Sequence, residues 1–211
     1  MQDDANLAIP TSKRAPWNKG KLIGAKPPLR QKHVWAIRTM LQAERSKREL
    51  AMFNLAIDSK LRGCDVVAIR VDDVAPNGYA IDRATVRQRK TGRPVQFEIT
   101  EQTRASIQDR LATPGSCDRE YLFPSRFRTQ PHLSTQQYAR IVHAWVENAG
   151  LDSSAYGIHS MRRTKAAQIY KKTGNLRAVQ LLLGHTKLES TVRYLGIEVD
   201  DALSIAEQVE L

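Results

Sequence analysis

Apolar side chains recur along most of this chain at the spacing of amphipathic α-helices. Val34, Ile37 and Leu41 share one face of a predicted helix that begins near Gln31. A second predicted helix follows Ser46, and its residues are so largely apolar that we expect it to lie at the centre of the fold. The pattern therefore predicts that helices supply most of the hydrophobic core.

One stretch near the middle of the chain follows the two-residue period of β-strands instead. Residues 79–88 and 94–99 are predicted strands. In the second strand, apolar and polar residues alternate. The residues between the strands include Gly92, which suits a tight turn, and Lys90 would then lie at or near the tip of the hairpin. The sequence thus predicts a small antiparallel β-hairpin.

The remaining pattern is again helical. Ser134 is the predicted N-cap of a helix whose apolar residues fall at i, i+3, i+4, i+7 and i+8, as expected for a stripe that faces the core. Thr100 is a predicted cap as well. Further helices are predicted over residues 65–69, 101–111, 160–172, 176–183 and 191–194. The fold class is therefore mainly α with a small antiparallel β-hairpin, an α+β architecture.

The charge of the chain indicates a polyanionic partner. Its 211 residues fit one domain with tails, and 33 lysines and arginines against 22 acids give a formal net charge of +11. No apolar run approaches the roughly 20 residues of a membrane span, and no signal segment opens the chain, so we expect neither a membrane partner nor export. Two cysteines without metal-ligand spacing fit a reducing cytoplasm. Nucleic acid is the partner that this composition favours.

The two ends of the chain carry opposite charge. Residues 11–32 contain seven lysines and arginines and no acid, interrupted by prolines and glycines. We predict a flexible, basic extended arm over residues 1–30, which either stays solvated or becomes ordered only on a nucleic acid. Residues 199–211 are predicted to form an acidic amphipathic helix.

Candidate chemistry is concentrated between residues 159 and 194. His159 and Arg162 lie three residues apart at a predicted helix start, where both side chains could reach one phosphate. That spacing often arises by chance, and the neighbouring Arg163 offers an alternative register. The stretch LLLGHTKLESTVRYL strengthens the hypothesis, because His185 follows a helix-ending glycine and Tyr194 lies nine positions later on the next predicted helix. These residues can converge on one point.

Five features occur along the sequence in the order Arg62, Lys90, HSMRR, LLLGHT and Tyr194. Their order and spacing resemble the tyrosine recombinase family, also called phage integrases. Asp65 matches the acidic companion of the family's first arginine. The resemblance covers about residues 31–198 and implies the catalytic-domain fold of that family. Taken singly, Arg62 could pair with Asp65 and Lys90 could be a solvated lysine, but their joint occurrence favours the functional interpretation.

The resemblance also implies a mechanism that needs no metal ion and no cofactor. A tyrosine attacks the scissile phosphorus and forms a 3′-phosphotyrosine, so the energy of the broken bond is retained in the new ester. The six implied catalytic residues are Tyr194 as the nucleophile, Arg62, Arg162 and His185 around the non-bridging oxygens, Lys90 as the general acid and His159 as the general base.

Three kinds of protein fit these expectations. The first is a site-specific recombinase or integrase of a mobile element, acting on double-stranded DNA as a homotetramer in the bacterial cytoplasm, in association with the nucleoid. The second is a type IB topoisomerase, and the third is a DNA-binding accessory protein that does not cut. Candidate DNA contacts outside the catalytic six are Arg87, Arg89, Arg93, Gln136, Gln137 and Arg140.

Members of the family usually carry a helical domain ahead of the catalytic one, and only about thirty residues precede the first predicted helix here. The basic arm, an accessory protein or a longer parent chain could account for the difference. Without that domain we expect weaker or less selective DNA binding by the chain alone. The acidic helix over residues 199–211 would pack either on a neighbouring protomer of the tetramer or on its own domain.

Overall fold

The structure, a computed structural model, describes residues 26–114, 120–127, 129–196 and 207. Its elements in chain order are α1 (Gln31–Ala43), α2 (Lys47–Ser59), α3 (Gly63–Val67), α4 (Val71–Val74), β1 (Arg83–Arg87), β2 (Pro94–Glu98), α5 (Glu101–Leu111), α6 (Thr135–Asn148), α7 (Ile158–Thr173), α8 (Leu176–Leu183) and α9 (Leu188–Leu195). The two strands pair antiparallel. The predicted fold class, mainly α with a small antiparallel hairpin, is confirmed. Nearly all of the predicted arm and of the predicted acidic helix lies outside the described residues.

Helix α2 lies at the centre of the fold, as its apolar sequence predicts. Every residue from Ala51 to Ser59 is buried, because α1, α5 and α7 pack around the helix. On another side Phe53 meets Trp145 of α6 edge to face, with the ring centroids 5.4 Å apart. The predicted core stripe of α6 is confirmed too, since four of its five residues are buried.

The first strand is shorter than predicted. β1 begins at Arg83 rather than four residues earlier, because the N–H groups just ahead of it have other partners. The N–H of Ala80 donates to Gln108 Oε1 on α5 at 3.2 Å, and that of Ile81 donates to the Val74 carbonyl at 3.0 Å. Pairing with β2 therefore starts only after these residues.

The short helix near Asp65 begins earlier than predicted. The Arg62 carbonyl accepts hydrogen bonds from the N–H groups of Asp65 at 2.8 Å and Val66 at 3.0 Å, so α3 starts at Gly63. Arg62 is the residue immediately before the helix, with an extended backbone. Its side chain therefore leaves the chain at the junction between α2 and α3. The single turn α4 follows and was not predicted.

Four charged side chains form an ion network that joins α2, β2 and α7. The ammonium of Lys165 lies 2.8 Å from Asp58 Oδ1 and 2.6 Å from Glu98 Oε1. Lys60, whose side chain is fully buried, lies 3.1 Å from Glu98. Thr100 occupies the predicted N-cap position of α5, but its hydroxyl donates to Asp58 Oδ2 at 2.6 Å. The network therefore fixes α7 against the central helix and the hairpin.

Candidate active site

Helix α7 presents two of the predicted catalytic residues in its first turn. His159 and Arg162 lie three residues apart on one side of the helix. Arg162 is almost completely buried, with 3% of its surface exposed. Its Nη2 donates to the Leu183 carbonyl at 2.8 Å, whereas Nε and Nη1 have no hydrogen-bond partner among the described residues. Two donors of one guanidinium are thus shielded from solvent and unpartnered among the described residues, a state that calls for an explanation.

The turn between α8 and α9 brings His185 to Arg162. Helix α8 ends at Gly184, where φ is +66° and a Cβ atom would lie 2.5 Å from Val95 Cγ2 of β2. Glycine therefore allows the end of α8 to approach the hairpin. His185 Nε2 lies 3.5 Å from Arg162 Nη2, and its Nδ1 lies 3.1 Å from the Thr191 hydroxyl, which orients the imidazole.

Helix α9 brings Tyr194 to Arg162 and His185, and these side chains form one cluster. Its ring meets the His185 ring edge to face, with the centroids 5.5 Å apart. The guanidinium carbons of Arg163 and Arg162 lie 4.6 Å and 5.6 Å from the centroid of the tyrosine ring. The hydroxyl is 3.5 Å from the His159 carbonyl oxygen, beside the first turn of α7. The two candidate arginines of the motif thus differ, because Arg162 is buried and Arg163 covers the tyrosine ring.

Arg62 enters the cluster from the residue before α3, and a buried glutamine holds it. Its Nη1 donates to Gln88 Oε1, and Gln88 has 1% of its surface exposed. Gln88 is not among the residues predicted above, although the sequence contained a signal. Ala84 and Val86 face the core from β1, so the alternation also turns residue 88 inward. A polar side chain at that position needs buried partners.

Asp65 and Lys90 both relate to the hairpin turn. Asp65 has 2% of its surface exposed, and its Oδ1 accepts a hydrogen bond from the Arg89 N–H at 2.9 Å. The predicted companion of Arg62 therefore fastens the turn to α3. Lys90 is the next residue of that turn and is exposed.

The positive charge of the cluster affects both histidines. Burial, followed by Arg162 and Arg62, lowers the pKa of His185 to about 4. Burial also lowers the pKa of His159, followed by Arg162 and the other cations around it. The lowered pKa values favour the neutral form of both imidazoles at pH 7.

The candidate nucleophile is held in its protonated form. Burial raises the pKa of Tyr194 to about 12, although Arg162, Arg163 and Arg62 act in the opposite direction. A base must therefore remove the proton while the oxygen attacks. In this state the desolvation of the phenol outweighs the attraction of the surrounding cations.

The six candidate DNA contacts fall on two elements, the hairpin and the start of α6. They are Arg87, Arg89, Arg93, Gln136, Gln137 and Arg140. All but Gln137 are exposed. The Gln137 amide oxygen accepts from the Ser134 N–H at 3.1 Å, and Ser134 Oγ accepts from the Gln137 N–H at 3.1 Å, which completes the predicted cap of α6.

The chemistry of the cluster suits a phosphate. Guanidiniums and imidazoles donate hydrogen bonds to phosphate oxygens, and a phenol oxygen can attack phosphorus. Within the described ranges, no three side chains of His, Cys, Asp or Glu are grouped as a metal site would require. None of the helices in the same ranges is long and apolar enough to cross a membrane.

Comparison with known proteins identifies the class to which this fold and cluster correspond. The model of the phage integrase family matches residues 28–199, which is most of the chain. The chain therefore belongs to the phage integrase family. The predicted resemblance is confirmed, and with it the tyrosine recombinase catalytic-domain fold.

Individual relatives agree with this assignment. The probable integrase/recombinase YoeC of Bacillus subtilis is 30% identical over 156 residues, which are 74% of this chain and 81% of YoeC. Tyrosine recombinase XerD of Brucella suis is 33% identical over 142 residues, which are 66% of this chain and 43% of XerD. The chain thus spans most of the length of YoeC but less than half of XerD.

A solved structure has the same fold at low sequence identity. The Tn1549 transposon integrase, in complex with a circular intermediate DNA, superposes with a TM-score of 0.67 at 14% identity. The match covers 87% of this chain and 66% of that one. Similarity at this level establishes the shared fold.

Proposed function

We propose that this chain is the catalytic part of a site-specific DNA recombinase or integrase that cleaves and rejoins DNA through a 3′-phosphotyrosine intermediate. One observation carries the proposal. The ring of Tyr194 lies against Arg162, a buried guanidinium with two donors that have no partner among the described residues. A nucleophile and an anion site are thus side by side, as attack on a phosphodiester requires.

In the proposed first step, Tyr194 attacks the scissile phosphorus in line. Its proton passes to His159, which is neutral at pH 7 because burial and the neighbouring cations lower its pKa. The bond between phosphorus and the 5′-oxygen breaks as the tyrosyl ester forms, and Lys90 protonates the leaving oxygen. Rejoining runs the same transfers in reverse, with a 5′-hydroxyl as the nucleophile.

The arginines would stabilise the charge that grows on the non-bridging oxygens. Arg162 would donate from Nε and Nη1, which have no other partner among the described residues, and Arg62 would approach from the side of α3. His185 would contribute a hydrogen bond rather than a charge, since its pKa is about 4. A bound phosphate would raise the pKa of both histidines by supplying the missing negative charge.

We propose double-stranded DNA as the substrate. The net charge of +11 supports a polyanion, and the Tn1549 integrase, which shares the fold, is bound to DNA in its structure. Because that protein is the integrase of a transposon, we also propose that this chain serves a mobile element. The reaction would take place in the bacterial cytoplasm, on DNA of the nucleoid.

The domain boundaries carry proposals of their own. Residues 31–198 would be the catalytic domain, and the basic arm over residues 1–30 would add contacts to DNA. We propose a homotetramer on DNA, with the acidic stretch 199–211 docking on a neighbouring protomer and an accessory protein assisting. Deleting residues 199–211 tests this role, because unchanged assembly on DNA would rule it out.

The proposed cleavage is tested with suicide duplexes built from the DNA that flanks the gene. Wild type, Tyr194→Phe and Tyr170→Phe would be incubated with each duplex, and covalent adducts would be detected on denaturing gels. Tyr170 is the matched control, because it is partly buried in the same small apolar cluster as Tyr194. We expect adducts with wild type and Tyr170→Phe and none with Tyr194→Phe.

The products then distinguish the alternatives. Recombinant strands would support the recombinase, whereas relaxation of supercoils without strand exchange would indicate a type IB topoisomerase. A duplex that is bound but never forms an adduct would favour the accessory protein and contradict the proposal.

A further inference from the structure

We propose that Gln88 is a positioning residue that holds the two catalytic arginines and the hairpin turn in one arrangement. The inference rests on the proposed function, since it assigns Gln88 a part in that same site. Gln88 is the first residue after β1, and its side chain is buried between the hairpin and the end of α8.

The carboxamide of Gln88 makes hydrogen bonds in three directions. Its Oε1 accepts from Arg62 Nη1 and, at 2.9 Å, from the Thr91 hydroxyl. Its Nε2 donates to the Leu183 carbonyl at 3.3 Å. One side chain thus contacts the first catalytic arginine, the hairpin turn and the last residue of α8.

The Leu183 carbonyl extends this connection to the second arginine. It accepts from Arg162 Nη2 at 2.8 Å as well as from Gln88 Nε2. Both lone pairs of one carbonyl oxygen are therefore used, and Arg62 and Arg162 are linked through a single carboxamide and a single peptide group. A shift of Gln88 would change the positions of both guanidiniums.

The backbone of Gln88 closes the turn that carries Lys90. Its carbonyl accepts from the Gly92 N–H and its N–H donates to the Arg93 carbonyl, both at 2.8 Å. The Thr91 hydroxyl bonds to the side chain of the same residue. The proposed general acid therefore lies in a turn that is anchored on Gln88.

The carboxamide of glutamine suits all of the side-chain contacts. A carboxamide supplies both an acceptor and a donor, whereas glutamate has no donor for Leu183 and methionine has neither group. The carboxamide also orients Arg62 without cancelling its charge, as a carboxylate would. The guanidinium keeps its full positive charge for the phosphate.

The test compares Gln88→Met with Gln108→Met in single-turnover cleavage of a suicide duplex. Gln108 is the matched control, because its carboxamide also bridges backbone groups away from the proposed active site. Its Oε1 accepts a hydrogen bond from the Ala80 N–H, and its Nε2 donates one to the Gly78 carbonyl. We expect Gln88→Met to slow cleavage by about 100-fold, since small displacements of catalytic groups cost rates of that order. Duplex affinity and the rate of Gln108→Met should stay within about threefold of wild type.

A second substrate separates positioning from a general loss of structure. In a methylphosphonate at the scissile position, one charged non-bridging oxygen is replaced by a methyl group, so stabilisation by the arginines matters less. The ratio of wild-type to Gln88→Met rates should therefore fall to under about tenfold on this substrate. An equal ratio on both substrates, or wild-type cleavage by Gln88→Met, would overturn the inference.

The positioning role of Gln88 can also be tested independently of the proposed function. If wild type forms no adduct, the proposed function fails, and nitrogen-15 NMR still reports whether the Arg62 guanidinium is held. Its N–H protons should exchange slowly with solvent in wild type and Gln108→Met and faster in Gln88→Met. Equal exchange in all three proteins would contradict the positioning role.

Discussion

Helix α7 carries a buried cation, Arg162, and a partly buried one, Lys165, one turn apart, and their surroundings are opposite. Lys165 belongs to the ion network and lies within 3 Å of two carboxylates, those of Asp58 and Glu98. Arg162 meets a carbonyl oxygen and an imidazole, and two of its nitrogens have no partner among the described residues. Lys165 is in direct contact with carboxylates, and Arg162 is in contact with none among the described residues.

The pKa values follow this difference. Burial alone would lower the pKa of Lys165, but Asp58 and Glu98 outweigh burial and raise it. Burial has the largest effect on the pKa of Arg162 and lowers it. Tyr194 opposes burial, Arg62 lowers the pKa further, and Asp65 has a smaller opposing effect. A buried cation with no carboxylate in contact is costly to the folded state, and such cations are often found at functional sites. Under the proposed function, the same helix therefore carries one charge that holds the fold together and one that would bind the phosphate.

Replacing Arg162 should have the largest effect of these changes, and it should affect activity rather than stability. We expect Arg162→Met to lower the rate of adduct formation by about 10³-fold, because under the proposed function it removes donors to the developing charge. The free energy of unfolding should change little, since an incompletely paired buried charge is removed at the same time. Single-turnover cleavage and chemical denaturation of the same preparations measure the two effects. A large loss of stability would show that Arg162 is mainly structural.

Replacing Lys165 should have the opposite result. Lys165→Met leaves Asp58 and Glu98 with fewer partners, so we expect the free energy of unfolding to fall by about 2 kcal/mol. The cleavage rate of the folded protein should stay within about tenfold of wild type, because Lys165 faces the ion network. Lys171→Met, at an exposed position of α7, is the control. Loss of activity without loss of stability would remove the distinction between the two cations.

Replacing Gly184 tests how closely the cationic cluster of Arg62, Arg162 and His185 depends on the fit between α8 and β2. Gly184→Ala adds a Cβ atom against Val95 at a positive φ, and we expect a loss of about 2 kcal/mol in the free energy of unfolding together with slower cleavage. Gly174→Ala shares the positive φ, but no atom lies within 4 Å of its added Cβ. It should cost only about 1 kcal/mol and leave cleavage unchanged. Equal effects of the two substitutions on cleavage would contradict the proposed fit.

The pH dependence of stability gives the smallest expected effect. His185 titrates near 4 in the folded protein and near 6.5 when unfolded, so the unfolded chain binds more protons between these values and stability falls as pH decreases. His159 has the same sign. The pKa values of the Asp58 and Glu98 carboxylates are lowered in the folded protein. Their contribution to stability is therefore lost only as the pH falls below their ordinary pKa values of 3.8 and 4.5.

Melting temperatures measured between pH 6.5 and 5 therefore report the protonation of the histidines separately from that of the carboxylates in the ion network. We expect the melting temperature of wild type to fall by a few degrees over this range, and that of His185→Gln to fall less. Identical slopes for the two proteins would show that the cationic cluster does not disfavour a charged imidazole.

The helical parts of the fold and the motif residues could be predicted because both depend on local sequence. Arg162 and Tyr194 lie in short segments where spacing along a helix determines which side chains share a face. Boundaries were less predictable where contacts between elements decide them. The late start of β1 depends on Gln108, which is distant in the sequence.

Gln88 and the ion network could not be identified from local patterns, because each side chain finds its partners in distant elements. Lys165 looks like any solvated lysine of a helix until α2 and β2 place carboxylates beside it. The pKa of Tyr194 shows the same limitation. Its surrounding cations suggest activation, whereas burial raises the pKa to about 12.

The central claim is that Tyr194 is a nucleophile beside Arg162, a cation that would bind the phosphate. The most direct test is to map the residue that becomes joined to DNA. Wild type would be trapped on a suicide duplex in buffer containing EDTA, digested with protease and nuclease, and analysed by mass spectrometry. We predict a nucleotide attached through its 3′-phosphate to the hydroxyl of Tyr194. Attachment to another residue, or no covalent product on a duplex shown to be bound, would contradict the account.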